Sequence, residues 1–142
     1  KNANFIVKEL PNQARTAKEA ALAIGCTVSQ IAKSLIFKDV KTGDPILVIA
    51  SGTNMVCTTK IYEATGLQLG KANANFVKDK VGYAIGGVPP IAHKENVITI
   101  LDPDLKNYDV LWAAAGTPHC VFELKSSDLE SLTSGQWVSL AV

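Results

Sequence analysis

The sequence predicts a mixed α/β domain, a mixed sheet or barrel with short helices packed outside it. Three observations lead there. Apolar runs of strand length are separated by short segments that carry helix-capping signals. No strict β-α-β alternation of roughly 30 residues runs through the chain, and no G-x-G-x-x-G follows a strand, which disfavours a doubly wound nucleotide fold. No repeat, low-complexity stretch or Pro/Gly-rich linker divides the 142 residues, so residues 1–142 read as one domain.

Taken in order, Thr16-Ala17-Lys18-Glu19 is a capping box, because hydroxyl and carboxylate can satisfy two orphan amides. It opens an Ala-rich helix that stops at Gly25. Thr27-Val28-Ser29-Gln30 repeats the device and predicts a second short helix running through Ile31 and Ala32. Residues 34–39 read as strand, 41–44 as a turn, and the unbroken apolar run 45–50 as a buried strand, so that the two strands form a hairpin. Residues 58–65 read as helix with Gly66 after it, and 73–81 as helix capped by Asn73 and ended by Gly82. An irregular stretch over 82–90 follows. Strands are predicted at 96–101, 110–115, 120–124 and 137–141, with a turn at Asp102-Pro103. Ser127-Asp128-Leu129-Glu130 is a third capping box on a short helix.

Composition bounds the function. Hydrophobic residues at 47% and charged residues at 19% fit a globular chain and exclude a disordered one. A net charge of +1 provides no global basic field for nucleic acid. The charge is uneven, however: residues 1–41 hold seven bases and three acids, which permits a local anionic ligand there or simply a solvated helix face. No apolar run is long enough to span a bilayer and no signal peptide is visible, so no membrane partner and a cytoplasmic location are expected. Cys26, Cys57 and Cys120 are scattered and odd in number, which argues against a disulfide framework. With only His93 and His119 beside them, no metal site and no cofactor are expected.

The G-x-S-x-G, P-loop and H-E-x-x-H signatures are absent. Any catalysis therefore works by positioning and backbone electrostatics rather than by a strong nucleophile. Three places could support it. Lys33 follows apolar Ile31 and Ala32 and precedes apolar Leu35, Ile36 and Phe37. It reads either as a partly enclosed clamp for phosphate or carboxylate, or as a surface lysine at a helix end. Gly86-Gly87-Val88-Pro89-Pro90 reads either as a cradle of backbone N–H groups for an ester carbonyl, or as a tight loop. Gly116-Thr117-Pro118-His119 falls between two strands, where His119 could donate a hydrogen bond or act as a base, or merely face water.

Thr16-Ala17, the run from Gln30 to Phe37, Gly82-Tyr83, Gly86 to Pro90, and Ala115 to His119 together resemble the YbaK/EbsC family over about residues 5–140. These proteins are free-standing relatives of the editing (insertion) domain of bacterial prolyl-tRNA synthetase. The resemblance implies a strongly curved mixed sheet with short helices outside, and hydrolysis in trans of the ester bond of mischarged tRNA. It places the family's functional lysine on Lys33, its G-x-x-x-P motif on Gly86 and Pro90, and its loop histidine on His119. One departure is the stretch Ser51-Gly52-Thr53-Asn54, where many members carry an acidic residue after the glycine.

The expected function is therefore a trans-editing aminoacyl-tRNA deacylase. Its expected partner is the acceptor end of mischarged tRNA, with a prolyl-tRNA synthetase as a further candidate. Catalysis is assigned to Lys33, Gly86 and Gly87. Substrate binding is assigned to Val88, Pro90, Met55, Gly116, Thr117 and His119. Moderate apolar bulk at Val88, Pro89 and Met55 predicts a small pocket, for alanine first and then serine or threonine. The alternative is a non-catalytic module that binds a nucleotide or tRNA end.

Overall fold

The computed structural model describes residues 7–10, 16–82, 97–115 and 120–142. In chain order it contains β1 (Val7–Glu9), α1 (Ala17–Ile24), β2 (Ile31–Asp39), β3 (Pro45–Ser51), α2 (Thr58–Thr65), β4 (Leu69–Lys71), α3 (Ala74–Val81), β5 (Ile98–Leu101), β6 (Leu111–Ala114), β7 (Cys120–Leu124), α4 (Ser126–Thr133) and β8 (Gln136–Trp137). Two 3₁₀ segments, Val28–Gln30 and Pro103–Asn107, precede β2 and β6. The eight strands form one mixed sheet in the order β1-β7-β6-β2-β3-β5-β8, with β4 paired to β2 off this path. This is the mixed α/β architecture predicted.

The hairpin of β2 and β3 is its centre. Asp39 N–H donates to Asp44 O and Gly43 N–H to Asp39 O, while Gly43 takes a φ of 79° that suits glycine. All seven residues of β3 are buried, because both faces of this strand are covered. Alternation sends Leu47 and Ile49 to one core, with Val77, Leu101, Leu105, Leu111 and Leu129. Ile46, Val48 and Ala50 go to the other, with Ile61, Ile100, Val138 and Leu140. A third cluster seats α1 through Ala20 and Ala21 on Ile31, with Trp112 packed against it.

Several helix ends sit where the sequence puts them. Thr16 and Glu19 exchange both capping bonds, at 3.1 and 3.2 Å, and Gly25 ends α1 in the left-handed region. α2 spans the predicted residues and ends at Gly66, and Asn73 Oδ1 caps α3 through Phe76 N–H at 2.8 Å. Three expectations need correction. The second helix is only a 3₁₀ turn, and Ile31 and Ala32 already belong to β2, because β-branched Ile31 pairs with Trp112 and packs under α1. The third capping box lies two residues earlier than read: Lys125 is the N-cap and Asp128 accepts its N–H at 2.9 Å. The last strand pairs only at Gln136 and Trp137, and Ala141 instead bridges to Val56. Two short strands, β1 and β4, have no clear sequence signal because each is only three residues long. Among the described residues no helix is long and apolar enough to cross a membrane.

Leu47, fully buried between β2 and β5, and Leu22, 76% exposed on α1, should separate cleanly on truncation. Leu47→Ala is expected to cost about 2–5 kcal/mol through the lost contacts and the cavity. Leu22→Ala should stay within about 0.5 kcal/mol. Urea denaturation of the two variants checks both.

Candidate functional site

β2 is interrupted on one edge. β6 pairs with Ile31 and Ala32 only, and β4 begins to pair at Phe37. Among the described residues no strand pairs with 33–36 on that edge, although β3 pairs with them on the other. Lys33 and Ser34, the first residues of this interval, point to opposite faces of the sheet. The Ser34 hydroxyl is buried and has no hydrogen-bond partner among the described residues.

Lys33 lies inside β2, not at the helix–strand junction read from the sequence. It stands opposite Ala50 of β3, and Asp102 follows directly on Leu101, the partner of Ile49. Lys33 and Ala50 thus share one cross-strand row, and Asp102, one residue past the end of β5, lies next along it. Lys33 is half-buried, and burial pushes its ammonium below the usual lysine range; the negative charge of Asp102 pulls it back up in part. Among the described residues the ammonium has no hydrogen bond or ion pair. It is therefore a partly desolvated cation with its donors available.

Asp102 is 1% exposed and heavily engaged. Its Oδ2 accepts from Ser51 N–H at 3.0 Å and from Asn54 Nδ2 at 2.7 Å, and its Oδ1 accepts from Asp104 N–H at 3.0 Å. Asn54 Nδ2 also donates to Asp104 Oδ2 at 2.8 Å. Both acceptors being carboxylates, only the nitrogen of the Asn54 amide can face them. Asp102 N–H in turn donates to Ile49 O at 2.9 Å, which docks the 3₁₀ segment onto the end of β3. The sequence reading took Asp102 as a turn residue and missed this role. The signal available was its capping position before Pro103, where a carboxylate accepts from Asp104 N–H.

The loop that departs from the family pattern is held on its other side too. Ser51 Oγ donates to Ser29 O at 2.7 Å, and the Ser29 and Thr53 hydroxyls lie 3.1 Å apart. A Cβ on Gly52 would stand 2.3 Å from Val28 O and 2.9 Å from the Ala17 side chain, so only glycine lets the loop close on α1 and the 3₁₀ turn. The loop carries no acid of its own, yet Asp102 and Asp104 bring two carboxylates to Asn54.

Met55 follows this loop with its side chain 74% exposed. Its carbonyl accepts from Val142 N–H at 2.9 Å. Gly86, Gly87, Val88, Pro89, Pro90, His93, Gly116, Thr117 and His119 lie outside the described residues. Of the sequence-predicted site, then, Lys33 and Met55 are placed. Cys26, Cys57 and Cys120 are free thiols, and burial pushes the Cys26 thiol up, away from the reactive thiolate.

The model of the aminoacyl-tRNA editing domain matches residues 11–132. The uncharacterised protein YwhH of Bacillus subtilis (strain 168) is 30% identical over 136 residues, covering 94% of this chain and 85% of that protein. A proline–tRNA ligase of Limosilactobacillus fermentum is 30% identical over 105 residues, which span 71% of this chain but only 18% of the ligase. A crystal structure of a candidate trans-editing enzyme for prolyl-tRNA synthetase superposes with a TM-score of 0.90 at 41% identity, covering 97% of this chain and 87% of the other.

A lysine whose charged form is disfavoured in the fold is a stability cost at neutral pH. The unfolded chain holds that proton more tightly, so stability rises with pH between the lowered folded value and the ordinary 10.5. Lys33→Met should therefore be more stable than the parent at pH 7. Its advantage should shrink as pH climbs through that window, as read by urea denaturation across pH. Gly52→Ala should lower stability at every pH, since its clash is steric.

Proposed function

Because the chain belongs to the aminoacyl-tRNA editing domain family, and is an aminoacyl-tRNA deacylase, we propose that it acts in trans on mischarged tRNA bearing alanine, serine or threonine. The observation that carries this reading is Lys33, a half-buried ammonium with no partner of its own among the described residues, beside an interruption in the sheet. A compact cation so placed suits a phosphate at the terminal nucleotide of the acceptor end.

The chemistry asks little more of side chains. An aminoacyl ester is already activated, and a vicinal ribose hydroxyl of the tRNA can orient the attacking water. Backbone N–H groups after Gly86 and Gly87 are the proposed cradle for the carbonyl oxygen as negative charge develops on it. One such donor typically contributes on the order of 100-fold or more in rate. Pro90 is proposed to stiffen the exit of that stretch. Gly116, Thr117 and His119 are proposed to contact the aminoacyl group. Holding only the acceptor end tightly is compatible with a net charge of +1. The likeness to a stretch of a proline–tRNA ligase supports a prolyl-tRNA synthetase as the partner in translation fidelity.

Met55, Val88 and Pro89 are the proposed walls of the amino-acid pocket. Apolar walls discriminate by size, and one methylene is worth only about 1–3 kcal/mol, so alanyl, seryl and threonyl esters should overlap as substrates. Proline should be excluded by bulk.

The decisive assay is release of free amino acid from alanyl-, seryl-, threonyl- and prolyl-tRNA at equal concentration. Multiple turnovers on the first three, with the prolyl ester spared, are expected. Stoichiometric protection of the ester would mark a binding module instead. Lys33→Ala should lose roughly 10- to 150-fold in kcat/KM, the worth of a charged hydrogen bond of about 1.5–3 kcal/mol. Lys33→Arg should also be impaired, because a planar fork does not replace a compact ammonium in a confined site. Unchanged turnover in a folded Lys33→Ala protein would remove the phosphate role.

A further inference from the structure

Resting on the reading that Lys33 takes the substrate's phosphate, we propose that Asn54 and Asp102 are paired positioning residues that keep the Lys33 ammonium attracted to the site but uncommitted within it. The argument begins with an inventory of lone pairs. A carboxylate offers about four acceptor positions. On Asp102 three are occupied: Oδ2 by Ser51 N–H and Asn54 Nδ2, and Oδ1 by Asp104 N–H. All three donors are neutral, so the carboxylate keeps its negative charge while most of its acceptor capacity is used. Its field reaches Lys33. Its oxygens do not hold the ammonium in a direct ion pair.

Asn54 is the residue that makes this arrangement adjustable. Both N–H groups of its amide are spent, one on Asp102 and one on Asp104, so it spans two carboxylates that would otherwise repel. Its own position is fixed by Asn54 N–H donating to Ser51 O at 2.9 Å. Among the described residues the charged groups on the packed elements are few. The 3₁₀ turn Val28–Gln30, β3 and β6 carry no titratable side chain, and the Pro103–Asn107 segment carries one acid, Asp104, and one base, Lys106, whose ammonium lies over the Trp137 ring.

The two residues should move Lys33 in opposite directions. In Asn54→Ala a second acceptor position on Asp102 becomes vacant, so a direct ion pair with Lys33 is expected to form and the ammonium to hold its proton to higher pH. Adenosine 5′-monophosphate, used as a probe for the terminal nucleotide, should then bind roughly two- to five-fold more weakly, the effect of a partly exposed ion pair competing for the same cation. In Asp102→Asn the attraction disappears, the proton leaves at lower pH, and the alkaline fall in probe binding moves to lower pH. Below that fall binding should equal or exceed the parent's.

The experiment is NMR titration of the Lys33 side chain, assigned with Lys33→Arg, together with calorimetric binding of adenosine 5′-monophosphate across pH. Opposite displacements of the Lys33 titration in the two variants are expected. A titration unmoved in Asn54→Ala, or moved in the same direction by both, overturns the proposal. A merely structural role would weaken the probe at all pH without shifting Lys33. Should Asp102→Asn not fold, the upward shift in Asn54→Ala alone decides the question. If the parent does not bind the probe, the phosphate reading of Lys33 fails, and the side-chain titrations still judge the Asn54–Asp102 pair.

Discussion

A carboxylate taken out of water must find its hydrogen bonds inside the protein, and Asp102 finds them on the end of β3, on the loop that follows it and on its own segment two residues along. Ser51 ends the central strand, Asn54 sits in the loop beyond it, and Asp104 opens the 3₁₀ segment that carries Leu105 into the core. One buried charge thus fixes the relative placement of β3, the 51–54 loop and the connection towards β6. The close approach of Gly52 to Val28 O adds α1 and the first 3₁₀ turn to the same assembly. Shape at this end of the sheet depends on polar satisfaction more than on the apolar cores beneath.

Lys33 is governed by the same economy of charge. It belongs to a row that is otherwise core, with Ala50 opposite and Val48 and Ile46 further along the same face. Burying an ammonium there is unfavourable and pushes it below the usual lysine range. A protein selected only for stability would place an apolar side chain at this position. A cation with no ion pair among the described residues is therefore more informative about function than the well-paired polar groups around it.

The secondary structure legible in the sequence is that set by local physics. Capping bonds at Thr16 and Asn73, and left-handed glycines at 25, 66 and 82, act within one turn of helix and need no tertiary partner. The apolar run of β3 announces a strand covered on both faces. At residues 27–32 local and long-range signals compete. The Thr27 and Gln30 contact does form, at 3.0 Å, but pairing of Ile31 with Trp112, 81 positions away, turns the chain into strand. Three-residue strands such as β1 and β4 exist only because partners lie beside them.

The sequence by itself determined the mixed α/β class, most helix ends and the central hairpin, and it singled out Lys33 as a candidate site residue. All of these rest on neighbours within a few positions, or on a pattern of residue types. The tertiary structure alone decided the surroundings of that lysine: its place inside a strand, the edge left unpaired among the described residues, and the carboxylate that acts on it from 69 residues further on. The reason is physical. A strand's register brings residues together by hydrogen-bonded pairing between distant segments, and neither residue carries any local mark of the one it will meet.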